Sequence, residues 1–240
     1  VRKLVAKVYD KKEAEVRKHM QLHSLSDIVV YYSTNQTPPN DLVIGRFIKP
    51  MLAKEVPIEK WPKKHIVEYK YDGARYQIHK GDSVLIFNRK GKVVTDKFPD
   101  IVLMINAWEM KESFIIDTEI YPVESDGRPA PFKKMGTRIH SKNIEEAVEK
   151  CPVELAVFDC MMFNGENLMD NSLRERLPFI LKFPKQAIRC QDGTYDAPLW
   201  NIGIHAFYNK AINDGYEGMM VKDFNGTYES GKRSWIKYKP

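Results

Sequence analysis

The sequence predicts an α+β fold of mixed and antiparallel sheets with helices packed on them. Strand candidates outnumber helix candidates, hairpin-like patterns alternate with helical crossovers, and no regular βαβ series is present. The chain also lacks a G-x-x-x-x-G-K-[ST] and a G-x-G-x-x-G, so any nucleotide is handled without a P-loop or a Rossmann turn.

Taken in order, residues 1–24 are charged and weakly helical, and "STNQTPPNDLV" (33–43) reads as a polar, proline-bearing linker. A single α/β unit starts near Phe47. Its strand candidates are 66–71, 74–79, 83–88, 114–121, 155–163, 218–223 and 235–238, rich in β-branched and aromatic residues and bounded by turn signals. The stretch "EYKYDGARYQIHK" (68–80) reads as a hairpin turning at Asp72-Gly73. Phe98, Ile101, Ile105 and Trp108 share one helical face. Asn143 and Glu146 resemble a capping box that opens a helix through Lys150. Ile204, Phe207, Tyr208, Ala211 and Ile212 form an apolar stripe ended by Asp214-Gly215. These stripes read as core.

The chain has 240 residues, 43% hydrophobic and 29% charged, which is enough to bury a real core and argues against disorder. Its net charge of +6 permits a polyanionic partner without requiring one. Cys151, Cys160 and Cys190 are too few and scattered for a disulfide framework, and none forms a C-x-x-C pair, so reduced, buried thiols in an intracellular protein are expected. The most apolar segment, "LAVFDCMMF" (155–163), is too short to span a bilayer and carries Asp159; no membrane association and no signal peptide are expected. The histidines show no ligand spacing, and His79 and His140 read as surface or satisfied polar residues. A chain that starts at Val1 rather than Met reads as a fragment.

A hairpin needs Asp72-Gly73. It does not need Lys70 two residues before or Arg75 two residues after. A lysine amine attacks only when neutral, and with an ordinary pKa of about 10.4 only about one molecule in 2,500 is neutral at pH 7. A nucleophilic Lys70 therefore needs nearby cations or a metal, with carboxylates to hold the metal and basic groups to hold phosphates. The other strands supply them. "FIIDTEI" (114–120) puts Asp117 and Glu119 on one face, "YEGMMVK" (216–222) ends in Lys222, and "SWIKYK" (234–239) alternates Trp235, Lys237 and Lys239. Charges on several apolar strands are hard to explain by packing alone.

Lys70-Tyr71-Asp72-Gly73-Ala74-Arg75 resembles the K-x-D-G-x-R signature of covalent nucleotidyltransferases, the polynucleotide ligases and mRNA capping enzymes. "FNRKG" (87–91), "FIIDTEI", "AVFDCMMFNG" (156–165), "EGMMVK" (217–222) and "WIKYK" (235–239) are similar to that superfamily's later motifs, in the same order. "FIKPMLAK" (47–54) is similar to the opening of the ATP-dependent DNA ligases of eukaryotes, archaea and their viruses. Asn88 stands where the family usually has Ser.

The resemblance implies an ATP-grasp-like nucleotidyltransferase fold with a nucleotide cleft between two subdomains. It implies ATP and Mg2+ (or Mn2+) as cofactors, nicked double-stranded DNA as partner, and a monomer acting in DNA repair or replication, in nucleus or cytoplasm. Carried over by residue, Lys70 forms lysyl-AMP, Glu68 accepts from the adenine amino group, and Phe158 stacks on adenine. Arg75 and Arg89 contact the AMP sugar and phosphate or the DNA 5′-phosphate. Glu119 binds the ribose or a metal, and Glu217 helps hold the metal. Lys222, Lys237 and Lys239 line the triphosphate, and Arg138 in "PFKKMGTRIHSK" (131–142) meets DNA phosphate. Asp117 reads equally as a structural hydrogen-bonding group or as a chemical one, and Asp72 as partly structural.

Residues 1–45 are expected to be a linker or the remnant of a preceding helical DNA-binding domain, and 46–240 the adenylation domain. A following OB-fold domain is expected beyond Lys239. Without it, slow self-adenylation and poor nick sealing are expected. The rival readings are an RNA ligase or GTP-using capping enzyme, and a non-catalytic nucleic-acid-binding module that kept the fold; Glu68 and "FIKPMLAK" favour ATP and DNA.

Overall fold

The computed structural model describes residues 1–184 and 200–239. Three short helices come first: α1 (Arg2–Val8), α2 (Glu13–Leu22) and α3 (Leu25–Ser33). The helicity expected of residues 1–24 is realised and runs on to Ser33. Val5, Ala6, Val16, Ile28 and Tyr32 form a small core among these helices. Ser24 opens α3 with a reciprocal cap: its hydroxyl accepts from Asp27 N, and the Asp27 carboxylate accepts from Ser24 N.

The other described residues build two sheets. Their strands are β1 (Leu52–Lys54), β2 (His65–Lys70), β3 (Ala74–Lys80), β4 (Val84–Asn88), β5 (Phe114–Pro122), β6 (Val153–Phe163), β7 (Glu166–Asn167), β8 (Gly218–Asp223) and β9 (Arg233–Tyr238). Their helices are α4 (Pro99–Asn106), α5 (Met135–His140), α6 (Ile144–Lys150), α7 (Leu173–Ile180) and α8 (Trp200–Asn213). One sheet runs β1-β9-β8-β2 and the other β4-β3-β5-β6-β7. Among the described residues only β1 and β9 pair in parallel; the other ladders are antiparallel. This is the mixed, mainly antiparallel architecture that the sequence predicts.

The hairpin expected at Asp72-Gly73 does not form. β2 pairs with β8 in the four-stranded sheet, whereas β3 pairs with β4 and β5 in the five-stranded one. Residues 71–73 are a crossing between sheets. A Cβ at Gly73 would lie 2.5 Å from the Ile120 carbonyl oxygen and 2.8 Å from Tyr121 Cβ. Glycine is required here so that the crossing can press against β5. Asp72 pins the same crossing, accepting from Phe132 N at 2.9 Å.

The five-stranded sheet buries Ile78, Ile86, Ile116 and Val157 against Phe98, Ile101 and Ile105 of the α4 region, so the predicted α4 stripe is core. Behind β2, Tyr69 stacks on Tyr216 at 4.2 Å and on Phe207 of α8 at 5.1 Å. The α8 stripe is narrower than predicted: Ile204, Phe207 and Ala211 are buried, Tyr208 is half-buried, and Ile212 is exposed. Asn143 caps α6 by accepting from Glu146 N. Cys151 and Cys160 are free and buried; Cys190 lies outside the described residues.

His140 is exposed, and His79 is the satisfied polar residue of the two alternatives, fully buried. Gly45 N donates to its Nδ1 at 3.1 Å, which leaves the proton on Nε2, donated to Gln77 Oε1 at 2.9 Å. Gln77 in turn exchanges two hydrogen bonds with the Ile48 backbone, at 2.8 and 3.0 Å. Burial pushes the imidazole down to about 4. No described helix is long and apolar enough to cross a membrane.

Candidate active site

An open cleft of about 690 Å³ lies between the two sheets. Strand alternation selects what faces it. Val67 and Tyr69 of β2 enter the core behind the sheet, while Glu68 and Lys70 line the cleft. Lys70 ends its strand opposite Gly218, the first residue of β8. Its ammonium makes a short ion pair with Glu217, and Lys239 donates to the other Glu217 oxygen at 3.1 Å. Burial pushes the Glu217 carboxyl up, but the hydrogen bonds and charges of Lys70 and Lys239 overcome this and hold it below the usual carboxylate range. Lys237 pairs with Glu55 at 2.9 Å, and Arg89 stands exposed on the rim.

The opposite end is aromatic and closed. Glu68 pairs with Lys222 at 2.7 Å, with side chains 4% and 1% exposed. Lys222 also donates to Phe158 O at 2.6 Å and lies 4.9 Å from the Phe158 ring centre and 4.6 Å from that of Trp235. The structure therefore puts Lys222 with Glu68 and Phe158, away from the exposed end where Lys237 and Lys239 stand. Two of the three Lys222 donors are engaged there, by the Glu68 carboxylate and the Phe158 carbonyl, within the lining of the cleft.

Between the two ends, Arg75 of β3 sits across from Glu119 of β5. Its guanidinium forks onto Asp117, with Nε to Oδ1 at 3.1 Å and Nη2 to Oδ2, and donates to Met51 O and to the Tyr228 hydroxyl at 3.2 Å. The Phe158 and Trp235 rings lie 5.3 and 4.9 Å from it. Asp117 is thus a structural partner. The Glu119 carboxylate forms no hydrogen bond or ion pair among the described residues, although its backbone pairs with β3 and β6. Burial pushes its carboxyl up to about 8 against the pull of Arg75 and Lys70, with Asp117 and Glu217 adding to the rise.

Arg138 does not reach the cleft. It is fully buried, donating to Lys97 O at 2.9 Å and Cys151 O at 3.1 Å, ion-paired with Asp100, and stacked over Phe98. This corrects the expected phosphate contact: the charge staples loops together. Among the described residues no cluster of three or more His, Cys, Asp or Glu is placed to hold a metal. Glu119 and Glu217 are the carboxylates that line the cleft beside Lys70. An unpartnered carboxyl with a raised pKa fits a hard cation that takes its remaining ligands from water and phosphate. Tyr228 escapes sequence reading, whereas Met51 lies in "FIKPMLAK" (47–54), which marks the segment but not the part Met51 plays.

The family described as ATP dependent DNA ligase domain matches residues 50–239. A DNA ligase of Thermococcus onnurineus is 37% identical over 207 residues, covering 82% of this chain and 37% of that protein. A DNA ligase of Natronomonas pharaonis is 31% identical over 252 residues, covering 100% of this chain and 45% of that protein. The chain thus spans less than half the length of these relatives. The fold is similar to that of mycobacterial DNA ligase D complexed with ATP and MES, with a TM-score of 0.63 and 21% identity over 80% of this chain and 60% of the other. It is also similar to Chlorella virus DNA ligase-adenylate, with a TM-score of 0.51 and 15% identity over 80% of this chain and 69% of the other.

Proposed function

The chain belongs to the ATP-dependent DNA ligase family, and on that premise we propose that residues 46–240 are the adenylate-transferring domain of an enzyme that seals nicked double-stranded DNA. The observation that carries this reading is the polarity of the cleft. Lys70, Glu217 and Lys239 stand together at the exposed end, and Glu68, Lys222 and Phe158 line the closed end. ATP laid along it turns its base to Phe158 and Glu68 and its phosphates to Lys70, Lys239 and Lys237, with Arg89 at the rim.

Lys70 acts as the nucleophile. Its Nζ gives a proton to solvent water at the open end of the cleft and bonds the α-phosphorus as the bond to pyrophosphate breaks, leaving AMP on the lysine. AMP then passes to the 5′-phosphate of the nick, and the 3′-hydroxyl displaces it. Glu119 and Glu217 would hold Mg2+ (or Mn2+), which neutralises charge building on the phosphates. The basic rim meets the phosphate backbone. Residues 1–45 are a linker or the remnant of a preceding helical DNA-binding domain, and the protein acts as a monomer inside the cell.

The test is mass spectrometry after incubation with Mg-ATP or Mg-GTP. The expected result is one AMP on Lys70 and no GMP. Labelling by GTP alone would replace the ligase reading with a capping one, and no label from either would leave a binding module.

A further inference from the structure

We propose that Tyr228 is a positioning residue for adenylate transfer, acting through the Arg75 guanidinium; this rests on the ligase reading of the cleft. Tyr228 is buried, in the segment between β8 and β9, with its ring packed edge-on to Trp235 at 5.9 Å. Its hydroxyl is saturated. A phenol has one proton and two lone pairs. The proton goes to Asp117 Oδ2, and the lone pairs accept from Met51 N at 3.2 Å and Arg75 Nη2 at 3.2 Å.

Those partners come from different parts of the fold. Met51 immediately precedes β1, Arg75 lies on β3, and Asp117 lies on β5. One oxygen therefore ties the edge of the four-stranded sheet to the middle of the five-stranded one. Arg75 spends its Nε and Nη2 donors on Asp117 and Tyr228 and one Nη1 donor on Met51 O. Held this way, the guanidinium cannot rotate, and its flat face fixes the Phe158 and Trp235 rings at 5.3 and 4.9 Å. Packing alone would be served by phenylalanine. The hydroxyl sets where Arg75 and the aromatic wall stand relative to Lys70, and an ångström-scale misplacement of a binding wall lowers rate more than affinity.

Tyr228→Phe tests this, since it keeps the ring and removes only the oxygen. The expected result is an approximately tenfold fall in the Lys70 adenylation rate at saturating Mg-ATP, with KM for ATP changed less than threefold. The Arg75 Nε–H proton resonance, assigned by its loss in Arg75→Lys, should shift and broaden. A wild-type rate in folded Tyr228→Phe, or an unmoved Arg75 resonance, would overturn the proposal. If the unaltered chain takes no AMP, the ligase reading fails, while the resonance still decides whether Tyr228 holds Arg75. Should Tyr228→Phe not fold, 3-fluorotyrosine placed at position 228, which keeps the oxygen but weakens its acceptance from Arg75 and leaves the Arg75–Asp117 fork untouched, is held to the same two readouts.

Discussion

Lys70 and Gly218 face each other across the β2–β8 ladder, and the glycine lets the end of β9 close over the lysine. A Cβ at Gly218, whose φ is +148°, would lie 2.4 Å from Tyr238 O and 3.2 Å from Lys239 Cα. That approach puts Lys239 on the Glu217 carboxylate shared with Lys70. Gly218→Ala must push β9 away. The expected cost is about 1–3 kcal/mol of stability, and AMP labelling of the still-folded protein should fall more than tenfold. Urea unfolding paired with a labelling time course checks both, and labelling at the wild-type rate would show that the β9 contact is dispensable.

Lys70→Ala should abolish AMP labelling without harming the fold. Glu217 keeps Lys239 as a partner, and the Lys70 side chain is 20% exposed, so the stability change should stay within about 1 kcal/mol. Any label surviving in this variant would name a different nucleophile.

For Glu68, sequence alone suggests that Glu68→Ala weakens ATP use more than stability. The buried pair with Lys222 changes that expectation. Removing the carboxylate strands an ammonium in the interior, at a cost of about 3–5 kcal/mol. The double variant Glu68→Ala/Lys222→Met should regain most of this stability and still fail to prefer ATP over GTP. Competition labelling with the two nucleotides reads the preference, and intact discrimination would remove Glu68 from adenine recognition.

Much of this site is legible in the sequence, and the gaps have physical causes. Apolar strands that carry charges mark Glu68, Lys70, Glu119 and Lys222, because a charge in such a strand needs a reason. The hairpin error at Asp72-Gly73 arises because a tight turn and a sheet crossing use the same local residues; only packing against Ile120 and Tyr121 distinguishes them. The strand Leu52–Lys54 is too short to show a pattern. Arg138 reads as a surface charge because its partners, Lys97, Asp100 and Cys151, lie 13 to 41 residues away in sequence. Tyr228 is invisible for the same reason: Asp117 is 111 residues away.

His79 should make the fold acid-sensitive in a defined window. Its folded pKa is lowered to about 4 from an ordinary 6.5, so between those values the unfolded chain binds more protons. The stability it contributes is present above pH 6.5 and lost as pH falls toward 4, by about 3 kcal/mol. His79→Gln should flatten that part of the stability–pH curve. Hydrogen exchange at Gly45 and Ile48, whose amides depend on the His79–Gln77 network, should quicken over the same range in the unaltered chain.

Glu119 has the opposite sign. Burial raises its folded pKa to about 8, so between roughly pH 4.5 and 8 the folded state holds a proton that the unfolded chain has lost. Its contribution favours folding at low pH and is lost as pH rises through 8, on the order of a few kcal/mol. Glu119→Gln fixes the neutral form, so the variant should be the more stable protein above pH 8 and nearly equal to the unaltered chain near pH 5. A divalent ion should reverse the order. Mg2+ at millimolar concentration gives the ionised carboxylate a partner and raises the unfolding midpoint of the unaltered chain at pH 8, with little effect on Glu119→Gln. Thermal unfolding of both proteins at pH 5 and pH 8, with and without Mg2+, separates these contributions. Equal Mg2+ stabilisation of the two would mean that Glu119 is not a ligand, and Glu217 would then have to hold the ion without it.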